Sequence, residues 1–528
     1  MADMFESGER SRKRQRLRDQ DGSANRGDLH RSLAGSISPP PLRRTKARPA
    51  PKIVPSPFQL TWITNLPASS NLDAVSLKDI LGDPLIAECW EFNYLHDLDF
   101  LMDAFDPDVR DLVKVHVIHG FWKNEDPSRL HLKEQSEKYK NLNLHTAFMP
   151  EMFGTHHSKM LILIRHDDTA QVVIHTANMI PFDWGNMSQG LWRSPLLPLR
   201  DETLPPEQAG QIGSGSRFKT DLINYLKAYD TKRIICKPLI AHLSKYNFSA
   251  IKATLIASVP GKQEVDGHQE TSWGWLGLKN ALKAIPVHGS EPEIIVQISS
   301  IATLGGTDKW LEKTLFKALS TSKNVATTKP KFRVIFPTAD EIRRSLNGYN
   351  SGSAIHTRIQ SAAQAKQLQY LKPLFCHWAG DGAQHTSASA SAATISDAGR
   401  KRAAPHIKTY VRFADKDRTS IDWKLVTSAN LSTQAWGAAS NAVGEVRICS
   451  YEIGVLVWPG LFGENATMVP TFKTDIPAVS TLSEAEIVVG ARMSYDLPLV
   501  PYAKDDIPWV ASATYTEPDW NGSTWNVD

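Results

Sequence analysis

An apolar run, a polar turn and a second apolar run recur twice along the chain and predict two β-hairpins. The first pattern reads MLILIRHDDTAQVVIHTAN and ends at Asn178, and the second reads TYVRFADKDRTSIDWKLVTSAN and ends at Asn430. Each apolar run is short and is followed by turn-forming residues, which is typical of paired strands. The two Asn residues stand at nearly equal distances after the start of their hairpins, which indicates an internal duplication.

A His-x-Lys pair stands directly before each hairpin. The pairs are His157 with Lys159 and His406 with Lys408. Because residues i and i+2 of a strand face the same side, the His and the Lys of each pair project together. If the strands of a hairpin pair antiparallel, the Asn at the end of the return strand lies close to the His-x-Lys pair. Each hairpin therefore gathers a His, a Lys and an Asn at one end of a sheet.

The rest of the pattern alternates strand-like and helix-like segments and predicts an α/β fold with covered sheets. FQLTWIT, LVKVHVIHG and EIIVQISSI read as strands, whereas FKTDLINYLKAYD and TDKWLEKTLFKALS have helical spacing. At 528 residues the chain is long enough for two domains. We place the boundary near residue 250, so that domains over 56–250 and 251–528 hold one hairpin each. Such a duplication predicts a pseudo-twofold axis with the functional site at the domain interface.

Two segments lack apolar periodicity. Residues 1–55 are rich in Arg, Ser, Pro and Gly, and we expect a disordered tail. Its basic run RSRKRQRLR indicates either a solvated tail or a nuclear import signal or nucleic-acid-touching arm. On the second interpretation the protein is nuclear. Residues 380–404 are low in complexity and predict a mobile insertion beside the second hairpin.

Composition excludes several classes of protein. Apolar residues make up 41% of the chain and charged residues 22%, as in a soluble globular protein. The net charge is only +4, so attraction to polyanions depends on local clusters of charge. The four Cys residues lie far apart, which argues against a disulfide scaffold or a cysteine zinc site. No apolar run approaches the roughly 20 residues that span a bilayer, so we expect no membrane association.

Two lysines, two Asn amides and two imidazoles suit a phosphate at the predicted interface. Lys and Asn side chains offer positive charge and hydrogen-bond donors to phosphate oxygens. One imidazole can act as a nucleophile and the other as a general acid. The pattern therefore predicts phosphoryl transfer in two steps through a phosphohistidine. The segment NLSTQAWG, which begins at Asn430, predicts a helix start with N–H groups near the anion.

Metal binding is the main alternative for the clustered His156, His157 and His175. Nearby carboxylates with the spacing of metal ligands are missing, and each motif His comes with a Lys that would repel a divalent cation. We therefore expect neither a metal nor a cofactor. Activity in excess chelator separates the two interpretations.

The motifs resemble the phospholipase D superfamily and, within it, the tyrosyl-DNA phosphodiesterase family. The resemblance lies in GTHHSKM, HTANMIPFDWGNMSQGLW, SANLSTQAWG and SYEIGVL, and it covers the chain from about Phe58 onwards. The superfamily continues His-x-Lys with four residues and an Asp, but Ile164 and Phe413 stand at those positions here. Loss of that Asp with the His, Lys and Asn retained is typical of the tyrosyl-DNA phosphodiesterase branch. The resemblance implies two similar phospholipase D-like α-β-α sandwich domains.

The resemblance also implies a reaction and a role for each motif residue. His157 would attack the phosphorus of a DNA 3′-phosphotyrosyl bond. His406 would protonate the departing tyrosine and then activate water against the DNA–histidine intermediate. The phosphate oxygens would be held by Lys159, Lys408, Asn178 and Asn430.

Further positions match supporting residues of the family. Gln189 and Glu452 match residues that orient the two imidazoles in place of the missing Asp, and which residue supports which imidazole stays open. The residues expected along the DNA or the peptide remnant are Ser299, Ser300, Phe153 and Tyr94. Each of these four residues could instead have a purely structural role, the two serines as a pair at the end of a strand and the two aromatic residues as buried side chains. Thr433 stands where some relatives have Lys, so one contact with DNA phosphate would be weaker here.

The implied function is a metal-independent DNA repair phosphodiesterase that frees DNA 3′ ends from tyrosyl or topoisomerase I peptide adducts and from other blocking groups. We expect a monomer that acts on single-stranded, nicked or blunt ends. A lipid-cleaving relative is the nearest alternative, but it would keep the missing Asp residues and usually a membrane-binding module. A non-catalytic DNA-end binder is the alternative from another class, and it predicts no covalent adduct.

Overall fold

The computed structural model describes residues 51–201, 203, 210–324, 326, 328–379, 395–478 and 486–526. The basic run of the predicted tail therefore lies outside the described residues, as do residues 380–394 of the low-complexity segment. All of the described residues belong to one compact unit. None of the helices in the described ranges combines the length with the apolar content that crossing a bilayer requires.

Twenty strands form the sheets of the described chain. They are β1 (Lys52–Val54), β2 (Phe58–Leu60), β3 (Ile86–Phe92), β4 (Lys114–His119), β5 (Leu142–Thr146), β6 (Met160–Arg165), β7 (Thr169–His175), β8 (Gly190–Arg193), β9 (Leu197–Pro198), β10 (Thr254–Ser258), β11 (Gly261–Glu264), β12 (Glu293–Gln297), β13 (Lys331–Ile335), β14 (Phe375–Cys376), β15 (Thr409–Phe413), β16 (Ile421–Thr427), β17 (Glu445–Ile448), β18 (Glu452–Val457), β19 (Ala466–Thr471) and β20 (Ile487–Arg492).

Eleven α-helices occur in the same ranges. They are α1 (Lys78–Leu81), α2 (Leu98–Asp103), α3 (Pro127–Ser136), α4 (Pro181–Gly185), α5 (Gly215–Lys227), α6 (Lys237–Leu243), α7 (Gly274–Leu282), α8 (Phe316–Leu319), α9 (Ala339–Arg343), α10 (Ala362–Leu371) and α11 (Thr433–Trp436). A π-helical turn, Leu311–Leu315, leads directly into α8.

The strands form two large sheets on the same plan. The first has the order β2-β8-β7-β6-β3-β4-β5, with β9 beside β7. The second has the order β1-β20-β19-β16-β15-β12-β13-β14, with β18 pairing with both β16 and β10. The run β3-β4-β5 is parallel and β3-β6-β7 antiparallel in the first sheet, and β12-β13-β14 and β12-β15-β16 repeat this arrangement in the second. The repeated topology confirms the predicted duplication.

The two predicted hairpins are present. Strands β6 and β7 pair antiparallel from Met160 with Ile174 onwards, and β15 pairs antiparallel with β16. Asp168 and Arg418, in the two turns, have φ angles of 58° and 56°. This left-handed backbone is uncommon outside glycine, and a short polar side chain such as Asp tolerates it best. The pattern of apolar and polar residues therefore predicted both hairpins correctly.

The folded chain begins earlier than predicted. The sequence predicts one disordered tail over residues 1–55, but Lys52–Val54 form β1 and pair parallel with β20. Lys52 N–H donates to Glu486 O at 2.9 Å. The partner strand lies more than 400 residues later in the chain, so no local pattern signals this pairing. The predicted boundary near residue 250 separates β9 from β10, which lie in different sheets, whereas β1 belongs to the second sheet.

The predicted insertion over residues 380–404 is also wrong in part. Residues 395–404 are described, and within them Arg400 is only 1% exposed. Its guanidinium donates to Asn71 Oδ1 and to Thr61 O, both at 3.1 Å. The sequence pattern around Arg400 does not indicate these hydrogen bonds, because their acceptors lie more than 300 residues earlier in the chain. The segment that leads to His406 is therefore fixed on the first half of the chain.

Two hydrophobic clusters hold the sheets. One lies on a face of the first sheet and includes Val117 and Leu161. The other includes residues from both sheets, among them Trp90, Ile162 and Val296. Full burial of one such aliphatic side chain contributes roughly 1.5–3 kcal/mol. The shared cluster joins the two sheets into one core, so the sheet ends that carry the motifs stay together.

Helix α5 follows the predicted amphipathic pattern. Its residues Phe218, Leu222, Tyr225 and Leu226 are all fully buried. The helix begins at Gly215, and Ser214 Oγ caps it by accepting the Arg217 N–H at 3.2 Å. One tyrosine of this helix and one just after it support the first motif, because the hydroxyl groups of Tyr225 and Tyr229 contact Ser158 Oγ. The helix thus braces the backbone between His157 and Lys159.

Candidate active site

The motif residues occupy equivalent places in the two sheets. His157 lies three residues before β6, and His406 lies three residues before β15. Asn178 and Asn430 each lie three residues after the return strand of their hairpin, β7 or β16. Because each hairpin is antiparallel, its His-x-Lys pair and its Asn lie at the same sheet end, as the sequence predicts.

Short backbone ladders join each motif to the other half of the chain. His157 N–H donates to Tyr451 O, and Tyr451 N–H donates to Thr155 O, both at 3.0 Å. On the other side, His406 N–H donates to Ser188 O at 3.0 Å. These bonds fix the two motifs across the junction of the halves, next to the residues that follow Ser188 and Tyr451.

Glu452 orients the imidazole of His157. Its Oε2 lies 2.9 Å from His157 Nδ1 and accepts the Ser428 hydroxyl at 2.5 Å. Burial lowers the pKa of His157 to about 4, and the Glu452 carboxylate opposes this shift. Burial by contrast raises the pKa of Glu452, but His157 and Ser428 outweigh it, so that this pKa is lowered and the group stays ionised. A carboxylate thus supports the proposed nucleophile.

Gln189 and Asp183 both face the imidazole of His406. Gln189 Nε2 and Asp183 Oδ2 each lie 3.0 Å from His406 Nδ1. Thr176 Oγ1 donates to Gln189 Oε1 at 2.8 Å, which turns the amide nitrogen towards the imidazole. A bare Nδ1 accepts from Gln189, whereas a protonated Nδ1 donates to Asp183. The pair can therefore serve either protonation state of His406.

Asp183 is the functional residue that the sequence reasoning missed. It is fully buried in α4, and its Oδ2 also accepts the Asn178 N–H at 2.6 Å and the Gln189 amide at 3.1 Å. Burial lowers the pKa of His406 to about 3, together with the charge of Lys408, and Asp183 opposes this shift. The available signal was a lone carboxyl between Asn178 and Gln189 in the segment HTANMIPFDWGNMSQ.

The two lysines are fully buried and held alike. Lys159 Nζ donates to His157 O at 3.3 Å, and Lys408 Nζ donates to His406 O at 2.5 Å. Burial lowers the pKa of Lys159 to about 8. Burial and the charge of Lys159 lower the pKa of Lys408 well below its ordinary value. An anion between the lysines would reverse both shifts, because it favours their charged forms.

The two Asn side chains are held differently. Asn430 Oδ1 accepts from Ser299 N at 3.1 Å, Ser299 Oγ at 3.2 Å and Ser300 N at 2.9 Å. Three donors on the oxygen leave the amide hydrogens of Asn430 available to an anion. Asn178 Oδ1 is buried without a hydrogen-bond partner among the described residues. The first Asn is fixed through its backbone by Asp183 instead.

The residues predicted to line a groove fall into two groups. Ser299 is fully buried, and its hydroxyl contacts Asn430. Ser300 is half-buried, and Phe153 is 77% exposed in the loop before the first motif. The Tyr94 ring centroid lies 5.9 Å from that of His157. Contacts of these four residues with a substrate stay a prediction, and the structure adds a supporting contact for Ser299.

The segment after Asn430 forms only a short helix. It is α11, the four residues Thr433–Trp436, and Ser432 Oγ accepts the Ala435 N–H at 2.9 Å. Thr433, expected to be a weak phosphate contact, is the first residue of this helix, and its hydroxyl donates to Gln434 Oε1 at 3.2 Å. The Ser432 hydroxyl thus already accepts the Ala435 N–H, one of the few N–H groups at the start of this helix that could otherwise bind an anion.

The clustered histidines outside the motifs have other surroundings. His156 Nδ1 lies 2.8 Å from Asn93 O and its Nε2 lies 3.0 Å from the Tyr229 hydroxyl. His175 has no hydrogen-bond partner for either ring nitrogen within the described chain. Burial lowers the pKa of both imidazoles to about 3. Among the described residues, no group of three or more His, Cys, Asp or Glu is arranged to hold a metal ion.

The repeated sheet and the paired His, Lys and Asn residues at the junction of its halves define a protein of the phospholipase D-like class. The sequence profile of the tyrosyl-DNA phosphodiesterases matches residues 57–503. The chain belongs to the tyrosyl-DNA phosphodiesterase family. This membership places it among the hydrolases of DNA repair.

Individual relatives agree with this assignment. The chain is 32% identical to a probable tyrosyl-DNA phosphodiesterase of Schizosaccharomyces pombe over 92% of this chain and 98% of that protein. It is 30% identical to tyrosyl-DNA phosphodiesterase 1 of Arabidopsis thaliana over 89% of this chain and 77% of that protein. The crystal structure of the yeast tyrosyl-DNA phosphodiesterase has the same fold, with a TM-score of 0.61 and 23% identity, over 87% of this chain and 99% of that one.

Proposed function

We propose that this chain hydrolyses the bond between a DNA 3′ phosphate and a tyrosine through a covalent phosphohistidine. One observation carries the proposal: both imidazoles are oriented through Nδ1 by a side chain from the other half of the chain. Within the described residues, the side-chain hydrogen bonds and ion pairs of His157 and His406 all involve Nδ1 and none involves Nε2. Each Nε2 is therefore free for the reacting phosphate.

In the first step, Nε2 of His157 attacks the phosphorus and the bond from phosphorus to the tyrosine oxygen breaks. His406, protonated at Nε2, gives that proton to the departing phenolate. Asp183 supports the protonated form that exists before this transfer, because its carboxylate accepts the Nδ1 proton of the imidazolium. The negative charge of the bound phosphate also raises the pKa of His406 from its low value in the empty site.

In the second step, a water molecule attacks the phosphohistidine. His406 no longer carries a proton on Nε2, so this nitrogen takes a proton from the attacking water, while the bond from phosphorus to His157 breaks. The DNA leaves with a 3′ phosphate and both imidazoles return to their starting states. Glu452 steadies His157 throughout, because its carboxylate favours the cationic imidazole of the intermediate.

The phosphate charge is met by protein side chains in this proposal. Lys159 and Lys408 neutralise it, and the Asn430 amide, with its oxygen held by three donors, points its hydrogens at a phosphate oxygen. These groups supply the charge stabilisation for which other phosphodiesterases use metal ions. The proposal therefore includes a reaction independent of added metal.

The substrate is proposed to be a DNA 3′ end that carries tyrosine or a topoisomerase I peptide, and other 3′-blocking groups are proposed as further substrates. Exposed Phe153 and half-buried Tyr94 beside His157 support contacts with a base or a peptide remnant. A monomer working in the nucleus completes the proposal. Nuclear exclusion of the full chain, or an unchanged location after deletion of residues 1–50, would speak against an import role for the tail.

One assay tests the function. We expect the full chain to release tyrosine from a 3′-phosphotyrosyl oligonucleotide in the presence of excess EDTA. We also expect a DNA–protein adduct on a denaturing gel after quenching with SDS at neutral or alkaline pH, because the bond from phosphorus to a histidine nitrogen is labile in acid. Turnover of phosphatidylcholine without tyrosine release would favour a lipid phosphodiesterase instead. DNA-end binding with neither tyrosine release nor an adduct would favour the non-catalytic interpretation.

A further inference from the structure

A carboxyl group without a role in the proposed reaction lies behind the first His-x-Lys pair. Glu91 is in β3, and its side chain is fully buried. Its Oε2 lies 2.7 Å from Nε2 of His96, whose side chain is also fully buried. Neither group makes an aligned hydrogen bond within the described residues. A buried carboxyl is costly unless cationic or donor groups surround it, and His96 is a contact to only one of the two Glu91 oxygens, so a further group of opposite charge nearby would stabilise it.

The strand register places Glu91 beside Lys159. Glu91 pairs with Leu161 of β6 in an antiparallel arrangement. His175 N–H donates to Lys159 O at 3.0 Å, so the ladder of β6 and β7 extends back to Lys159. Lys159 and Leu161 therefore face the same side of the sheet. Glu91 is a diagonal cross-strand neighbour of the lysine, within reach of a long side chain.

The second half has an apolar residue at the corresponding place. Val296 of β12 pairs with Tyr410, two residues after Lys408, just as Glu91 pairs two residues after Lys159. Val296 is fully buried and carries no charge. The duplication is broken at this position, so only the first lysine has a carboxyl behind it.

Other ionisable groups also act on Lys159. The carboxylates of Glu452 in β18 and Asp183 in α4 favour its protonated form, each more strongly than Glu91 does, and the charge of Lys159 in turn lowers the pKa of Lys408. Glu452 and Asp183 each contact a motif imidazole as well, whereas Glu91 contacts His96 instead. Burial lowers the pKa of the imidazoles that couple to Lys159 to about 3 or 4, which leaves them neutral near pH 7: His156, His157, His175 and His406.

We propose that Glu91 is a positioning residue that keeps Lys159 protonated while the site is empty. The inference rests on the proposed role of Lys159 as a phosphate ligand. A lysine that is already protonated binds an anion without first taking up a proton, so Glu91 preserves anion affinity as the pH rises. Burial lowers the pKa of Lys159 only to about 8, and the Glu91 carboxylate is one of the charges that oppose this shift.

The test measures the binding of tungstate, a phosphate mimic whose charge stays constant in the range used. Isothermal titration of the full chain at several pH values gives the pH midpoint at which alkaline conditions abolish binding. In Glu91→Gln we expect this midpoint to fall by about one pH unit, which corresponds to about a tenfold loss of affinity on the alkaline side. Glu88→Gln is the matched control, because Glu88 is a buried carboxylate of the same strand that binds Trp90 Nε1. We expect the control to keep the wild-type midpoint.

Two results would overturn the proposal: an unchanged midpoint in a folded Glu91→Gln protein, or an equal shift in Glu88→Gln. Circular dichroism and thermal melting establish folding. Glu91→Asp provides a second variant should the Gln protein not fold, because it keeps the charge. Its midpoint should stay within a few tenths of a pH unit of wild type, and a fall of a full unit would contradict the proposal.

Tungstate binding is separate from the DNA reaction. Normal, pH-dependent tungstate binding by a wild-type chain that releases no tyrosine would count against the proposed function and leave the role of Glu91 intact. Tyrosine release by wild type together with an unshifted Glu91→Gln midpoint would refute the role of Glu91 alone.

Discussion

His157 Nδ1 lies 2.9 Å from Glu452 Oε2, a residue 295 positions further along the chain. The other imidazole repeats the arrangement in reverse, since His406 Nδ1 lies 3.0 Å from Nε2 of Gln189, 217 positions earlier. Each half of the protein therefore orients the imidazole of the other half. Neither imidazole is positioned until both halves have folded and packed together.

The Glu452 carboxylate should be required for the attack by His157. In Glu452→Gln the side chain keeps its size but loses the charge that favours the cationic imidazole. We expect adduct formation in rapid-quench experiments to slow by about 100-fold or more. The acid limb of the rate profile should also move to lower pH, because Glu452 raises the pKa of His157 against the effect of burial.

Ser428→Ala is the matched control for this prediction. It removes a hydroxyl that donates to Glu452 Oε2 but leaves the carboxylate in contact with His157. We expect a loss of less than about tenfold, as for one hydrogen bond. A Glu452→Gln protein with wild-type adduct formation would show that the carboxylate has no part in the attack.

Replacement of His157 and replacement of His406 should block different steps of the reaction. His157→Ala removes the nucleophile, so no covalent adduct with a 3′-phosphotyrosyl oligonucleotide should appear on a denaturing gel. His406→Asn keeps the nucleophile but removes the group that activates water, so the adduct should accumulate. Adduct formation at the wild-type rate in His157→Ala would reassign the nucleophile.

Asp183 should matter most when the leaving group needs a proton. Asp183 opposes the lowering of the His406 pKa, so Asp183→Asn weakens proton uptake by His406. We expect release of tyrosine to slow by about 10- to 100-fold, whereas release of 4-nitrophenol, a better leaving group, should slow by about threefold or less. Both rates are measured on oligonucleotides with the same sequence. Equal losses for the two leaving groups would indicate a purely structural role.

Ser299 should act on phosphate binding through Asn430. Ser299→Ala removes one of the three donors to Asn430 Oδ1 and leaves the two backbone donors. We expect a loss of about three- to tenfold in kcat/KM, as for one hydrogen bond. In an Asn430→Ala background the same change should have no further effect, since coupled residues are not additive. Additive losses in this double-mutant cycle would separate the two residues.

The buried Lys424 should make stability depend on pH. Lys424 in β16 is 2% exposed, donates to Arg492 O, and has a pKa that burial lowers to about 7. Between this value and the unfolded value of about 10.4, the unfolded chain binds more protons, so stability rises with pH. We expect the difference in unfolding free energy between wild type and Lys424→Met to change by roughly 3–4 kcal/mol from about pH 7 to about pH 10, in favour of wild type at the higher pH. Urea denaturation at both pH values measures it, and a difference that is independent of pH would contradict the prediction.

Local patterns were sufficient to predict the two hairpins and the positions of the motif residues at their ends. The alternation of apolar and polar residues follows the two-residue period of a strand, and the pairing of β6 with β7 and of β15 with β16 bears it out. The placement of His157 and His406 before these strands, and of Asn178 and Asn430 after them, follows from the same period. The duplication could be predicted because both halves repeat the same order of His-x-Lys pair, two apolar strands and a terminal Asn.

Contacts between distant segments could not be predicted from these local patterns. The supports of the two imidazoles, the anchor of Arg400 on residues 61 and 71, and the pairing of β1 with β20 all join segments hundreds of residues apart. Side-chain periodicity reports the face of an element but not the partner of that face. Asp183 and Glu91 show the limit most clearly, because a carboxyl in an apolar segment has no meaning until packing places a buried imidazole or lysine beside it.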